Sequence, residues 1–200
     1  MFHIFEDDYQ KLKLIFFFIL LKMKLYVMRH CERNMNDVSF ESPLLYEGQM
    51  NAKKKYDEMN KKKIDVIYSS PFLRTIQTGD FYSKTKEVPI IVDYSIAEFV
   101  AENDKINMFS VNNYVIPDTW KKNFDLDLNY MFHNKYNKDE NVKDAIFRVF
   151  KFLLHLKSKY DSTDKNILII THMSIVNIIL GFKINFNNAS DLDKYVETTY

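Results

Sequence analysis

Two histidines and two arginines stand out because each sits at or just beyond the end of a short apolar run. Arg29-His30 follows Leu25-Tyr26-Val27-Met28, Arg74 comes shortly after Ile64 to Ser69, and His172 ends Ile167 to Thr171. Arginine is scarce, occurring only as Arg29, Arg33, Arg74 and Arg148 within a Lys+Arg total of 28. Its planar guanidinium is the side chain that grips phosphate oxygens in pairs, which makes each of the four informative. Two guanidinium groups and two imidazoles around one point would suit a tetrahedral dianion. One imidazole can attack phosphorus while the other donors neutralise the equatorial oxygens.

These residues meet only if the apolar runs are strands of one sheet. From Lys24 onward, strand and helix patterns alternate, so the chain is expected to form an α/β fold around a mostly parallel sheet. The expected strands are Leu25–Met28, Ile64–Ser69, Ile90–Val92 and Asn166–Ile170. Ligands of open parallel sheets sit beyond the carboxyl ends of the strands, where these histidines and arginines fall. The lysine-rich stretch from Glu47 to about Asn60 reads as an exposed helix. Ser70-Pro71 suggests a helix start, with Ser70 as N-cap and Arg74 in the first turn, where free N–H groups favour an anion. Val142, Ile146, Val149, Leu153 and Leu156 mark an amphipathic helix, which makes Arg148 a surface charge. A last helix, Ser174 to Leu180, is expected to stop at Gly181. Residues 103–138 have weak periodicity and read as an irregular insertion or lid, and the stretch to Tyr200 is a candidate edge strand.

Composition narrows the partners. Apolar residues make up 46% and charged residues 28%, as in a globular protein of one domain. Lys+Arg (28) and Asp+Glu (27) nearly cancel, so no global field draws the chain to nucleic acid or an acidic membrane. A single cysteine, Cys31, excludes an internal disulfide and a cysteine-based zinc site, and a cytoplasmic setting is expected. The apolar run Leu14–Leu21 is shorter than the about 20 residues a membrane span needs. Residues 1–22 therefore read as an N-terminal extension rather than an anchor, with the domain covering 23–200. No signal bears on oligomeric state.

Arg29-His30-Cys31-Glu32-Arg33, with Asn36 following, resembles the Arg-His-Gly signature of the histidine phosphatase (phosphoglycerate mutase-like) superfamily. Ser69-Ser70-Pro71-Phe72-Leu73-Arg74-Thr75-Ile76-Gln77-Thr78 is similar to its second motif and Ile170-Thr171-His172 to its third. Ser42-Pro43-Leu44 followed by Gly48-Gln49 is similar to its intervening helix start. The likeness spans about residues 23–185, in the right order. It implies a three-layer sandwich, with His30 as a nucleophile that forms phosphohistidine and Arg29, Arg74 and His172 as the phosphate pocket. Glu98 falls at the position of the general acid, with Glu102 as the alternative and Asp93 as a lesser candidate. Arg33 and Asn36 either touch substrate or face solvent. No metal or cofactor is implied, and the substrate would be a phosphorylated small molecule or a phosphoprotein.

A phosphatase is favoured over a cofactor-dependent phosphoglycerate mutase, because residues 99–147 hold no arginine for a second phosphate. Lys121 and Lys122 would be poorer substitutes. A non-catalytic phosphate-binding module is the third reading, and its support is two departures from the pattern. Cys31 and Met173 stand where the family has glycine. At position 31 a side chain would be strained if φ were positive, and its thiol would be acidified by nearby cations. The same cations are expected to keep His30 neutral. His3, His133 and His155 lack partners at useful spacing.

Overall fold

A computed structural model describes residues 23–99, 114–137, 139–185 and 196–199. The N-terminal run and Glu102 lie outside the described residues. β1 (Lys24–Arg29), β2 (Val66–Ser69), β3 (Ile90–Val92), β4 (Leu126–Asp127), β5 (Asn166–Thr171) and β6 (Val196–Thr199) form one sheet in the order β4-β3-β2-β5-β1-β6. Every pairing is parallel. The helices are α1 (Tyr46–Lys62), α2 (Leu73–Lys86), α3 (Asp118–Asn123), α4 (Val142–Tyr160) and α5 (Met173–Asn185).

The strands are apolar on both faces because both faces are covered. Leu25, Val27, Ile167 and Ile169 pack on Val149, Phe152, Leu153 and Leu156 of α4 and on Ile175, Val176 and Ile179 of α5. Tyr26, Met28, Leu168 and Ile170, one position along, point the other way onto Met59, Ile76, Tyr82 and Trp120 from α1, α2 and α3. The result is the expected three-layer α/β sandwich. Among the described residues, no helix is long and apolar enough to cross a membrane.

Three local expectations are corrected. α2 begins at Leu73 with Phe72 extended before it, so Ser70 is not its cap; the Ser70 hydroxyl is taken by a buried histidine instead. α5 runs through Gly181, whose missing side chain faces open space. A lone interior glycine costs a helix only about 1 kcal/mol, too little to end one that packs well. The segment read as irregular holds α3 and β4 in its described part. Trp120 buries itself in the core, and Leu126 and Asp127 pair with Ile90 and Ile91.

Candidate active site

β5 lies between β1 and β2, so the sheet itself brings three chain segments together at one rim. His30 N–H donates to Thr171 O at 2.9 Å and Ser70 N–H donates to Ile170 O at 3.0 Å, each one step beyond its strand. These bonds set His30 and His172 side by side, with ring centroids 5.3 Å apart.

His30 is almost fully buried. Its Nδ1 lies 2.7 Å from Cys31 O. A carbonyl can only accept, so Nδ1 carries the proton and Nε2 keeps its lone pair. Burial pushes its pKa from 6.5 down to about 3, against the Cys31 hydrogen bond, and Arg74, Arg29 and Arg33 lower it further. The expected neutral imidazole is present, but desolvation outweighs the cations as its cause.

Arg74 is completely buried. One guanidinium nitrogen donates to Ser39 O at 2.9 Å and the other lies 3.4 Å from His172 Nδ1. Its plane sits over Phe72, 4.3 Å from the ring centroid. Burial and the neighbouring Arg33 lower its pKa to about 9, which leaves it charged near neutrality. Its Nε, like those of Arg29 and Arg33, is buried with no protein partner. Buried donors of this kind are rare unless something else satisfies them. Arg33 is half-buried and donates to Asn34 O and Asp37 O at 2.6 and 2.9 Å. Its charge acts on Arg74, His30 and Glu98. Asn36 does not join them. It sits on an exposed turn, with its N–H donating to Asn34 Oδ1 at 3.0 Å.

His172 is fully buried, with Nε2 2.8 Å from Ser70 Oγ and Nδ1 facing Arg74. A guanidinium can only donate, so Nδ1 accepts from Arg74 and Nε2 carries the proton, which the Ser70 hydroxyl oxygen accepts. Burial, then Arg74 and His30, hold the His172 pKa well below 6.5. Glu98 reaches the same point from the end of the segment after β3. Its Oε2 is 3.3 Å from His172 Nδ1, and Oε1 accepts from Ser174 Oγ in the first turn of α5. Burial raises its pKa above 4.5, partly opposed by Ser174, Arg74 and Arg33. A carboxyl held in this way favours its protonated form. Asp93 has a different task. Its carboxylate accepts from Ser95 N at 2.8 Å and from Phe132 N and His133 N at 2.5 and 3.3 Å, tying the chain after β3 to a distant loop.

The residues replacing glycine fit without strain. Among the described residues, positive φ outside glycine occurs only at Lys63 and Glu87, so Cys31 does not need glycine's freedom. Cys31 N–H donates to Thr78 Oγ1 at 3.1 Å, and its side chain packs with Leu44 and Ala52. Burial and Glu32 raise its thiol pKa, the reverse of the expected acidification. The place that needs glycine is Gly48, where a Cβ would fall 2.2 Å from Glu32 O. The same carbonyl accepts from Leu45 N at 3.0 Å, so α1 docks tightly on the loop that follows His30. Met173 lines a cleft of about 480 Å³ beside the rim, together with Arg29, His30, Asn51 and Lys54.

Arg148, expected on the surface, is mostly buried and pairs with Glu140 through Nε at 2.9 Å and through a terminal nitrogen. The α4 pattern is amphipathic as expected, but its polar side here meets the chain after β3 rather than water. Ser70, Ser174 and Arg148 are the polar contacts that motif and periodicity did not isolate. Ser174 stands two residues after His172, and Ser70 lies inside the Ser69-to-Thr78 motif but reads there as a helix cap. Among the described residues, no group of three or more His, Cys, Asp or Glu could hold a metal ion.

Comparison with known proteins agrees with this geometry. The sequence profile of the histidine phosphatase superfamily (branch 1) matches residues 25–192, and the chain belongs to that family. Among solved structures it resembles the ecdysone phosphate phosphatase of Bombyx mori in complex with tungstate. The TM-score is 0.62 at 15% identity, covering 82% of this chain and 78% of that one. It also resembles the alpha-ribazole phosphatase of Shigella flexneri, with a TM-score of 0.55 at 19% identity, covering 86% and 84%. A third likeness is to the glucosyl-3-phosphoglycerate phosphatase of a mycobacterium in complex with inorganic phosphate. Its TM-score is 0.53 at 15% identity, covering 82% and 80%. At such identities the likeness is one of fold. No curated protein sequence matches the chain.

Proposed function

We propose that this protein is a phosphatase that hydrolyses phosphomonoesters through a phosphohistidine on His30. The observation that carries the reading is the fixed tautomer of His30: Nδ1 donates to Cys31 O, leaving a lone pair on Nε2 of a buried ring on which the charge of Arg74 acts. The phosphoryl oxygens would be met by the guanidinium groups of Arg29, Arg74 and Arg33, whose Nε donors have no protein partner, with the His172 ring alongside. Nε2 attacks phosphorus as the bond to the leaving oxygen breaks, and that oxygen takes the Glu98 proton to depart as an alcohol. The Glu98 carboxylate then removes a proton from water as the water oxygen attacks phosphorus. The P–N bond breaks, inorganic phosphate leaves, and His30 and Glu98 return to their starting states. Donors fixed before reaction stabilise the charge on the transferring group without reorganising.

A mutase would need a second anion clamp. Lys121 on α3 is engaged by Asp118 at 2.7 Å, and Arg148 is turned into its pair with Glu140, so neither supports one. The structural relatives include an ecdysone phosphate phosphatase and a glucosyl-3-phosphoglycerate phosphatase. The corresponding class here is a phosphomonoester of a small molecule.

The test is turnover of para-nitrophenyl phosphate and a panel of metabolite phosphates in EDTA, by wild type and His30→Ala. Wild-type turnover is expected, with loss of about a thousandfold or more in the variant. Acid quenching should destroy, and alkaline quenching preserve, a phosphoenzyme seen by phosphorus NMR. Equal rates for the two proteins would end the proposal.

A further inference from the structure

Outside the rim, one buried ion pair is aimed at the backbone that carries Glu98. Among the described residues, Tyr94 to Ala97 has no strand neighbour for its carbonyls, which must still be satisfied because the segment is buried. Arg148 supplies most of the donors. Its terminal nitrogens lie 3.1 Å from Tyr94 O, 2.6 Å from Ser95 O and 3.3 Å from Ala97 O, while Nε and a terminal nitrogen hold Glu140. Glu140 is nearly inaccessible and sits one residue before the α4 capping box of Asn141 and Asp144, so its position is set by a well-formed helix start. Two further bonds complete the frame. Thr171 Oγ1 donates to Ile96 O at 2.7 Å, and Tyr136 OH donates to Glu98 O at 3.2 Å.

We infer that Arg148, braced by Glu140, is a positioning residue that aims the carboxyl of Glu98 at the leaving oxygen. This rests on the proposed role of Glu98 as general acid. Glu98 directly follows the last carbonyl that Arg148 holds, so rotation of the Ala97 peptide would swing its side chain away from Ser174 and His172. Proton transfer needs hydrogen-bond reach, and a displacement of about 1 Å far from the chemistry can lower a rate about a hundredfold. Lysine could keep the charge near Glu140, but only the guanidinium fork can serve three carbonyls and a carboxylate together.

A misplaced acid has a signature that general loosening of the fold lacks. Esters with poor leaving groups need the proton, whereas an activated aryl phosphate departs without it. The experiment compares kcat/KM of Arg148→Lys and Glu140→Gln on para-nitrophenyl phosphate and on an alkyl phosphate such as glycerol phosphate. Glu98→Gln serves as reference, and each pH profile and thermal midpoint is recorded. The alkyl phosphate should lose at least about tenfold more than the aryl phosphate in both variants. The double variant Arg148→Lys/Glu98→Gln should show no further selective loss beyond Glu98→Gln. Equal loss on both substrates with an unchanged pH profile would make the pair merely structural and overturn the inference. If Glu98→Gln shows no leaving-group selectivity, the acid role and this inference fall together while phosphatase activity stands. Absence of wild-type turnover on every substrate would remove the phosphatase reading and this inference with it.

Discussion

The two sides of the site are built by different means. On one side, His30, Ser70 and His172 continue β1, β2 and β5; His30 and Ser70 are held by the sheet's own hydrogen bonds to β5, and His172 follows the last residue of that strand. On the other, Glu98 ends a stretch without strand partners and is placed by side chains reaching from α4, α5 and a distant loop. The strand side is rigid because displacing one residue would break a ladder bond shared with its neighbour. The acid side depends on a few side chains, each of which can be changed without touching the sheet.

Glu98→Gln should separate the two sides most sharply. A loss of about a hundredfold or more is expected on alkyl phosphates, while phosphate still binds. Because burial raises the Glu98 pKa, wild-type activity should decline as pH rises through that raised value. That basic limb should vanish in the variant, which pH profiles of kcat/KM would check. An unchanged basic limb would assign the proton to another group.

Arg74→Lys tests the strand side. Loss of the fork should lower kcat about a hundredfold on aryl and alkyl phosphates alike, since charge on the transferring group is common to both. A loss confined to alkyl phosphates would blur the distinction between the two sides.

Stability should follow the same division. The His30 pKa in the folded protein, about 3, lies below its ordinary 6.5, so the unfolded chain binds the proton first as pH falls. The stabilisation is fully present above 6.5 and is lost as pH drops toward about 3, and His172 acts in the same direction. Urea unfolding across this range should show a shallower acid decline for His30→Asn than for wild type. Parallel curves would mean that the imidazole is not desolvated as described.

The smallest effects concern the loop after His30. Gly48→Ala places a methyl against Glu32 O and should cost about 1–3 kcal/mol, as overpacking does. Cys31→Gly relieves no strain, and its change in kcat should stay within about threefold, below the scale expected for losing a catalytic group. Thermal melts and initial rates would decide both, and a larger effect at Cys31 than at Gly48 would reverse this account.

Much of this was legible in the chain. The positions of β1, β3 and β5, the long amphipathic helix and the convergence of Arg29, His30, Arg74 and His172 follow from apolar runs that end in chemically unusual residues. Local pattern determines these because a buried parallel strand must be apolar throughout, and its carboxyl end is where polar residues can face a ligand. The contacts that decide function in detail were not legible. Arg148 looked like a surface charge because periodicity records which face of a helix is polar, not what that face meets. Ser70 looked like a helix cap because its neighbourhood allows one, and only the arrival of His172 from about a hundred residues away shows otherwise. Cys31 looked strained and acidic, although φ, burial and the bond to Thr78 make it neither. The sequence by itself determined the central strands and the chemical groups at their carboxyl ends. Tertiary structure alone decided how those groups are protonated and aimed, because desolvation and hydrogen-bond geometry depend on atoms that are neighbours in space and distant along the chain.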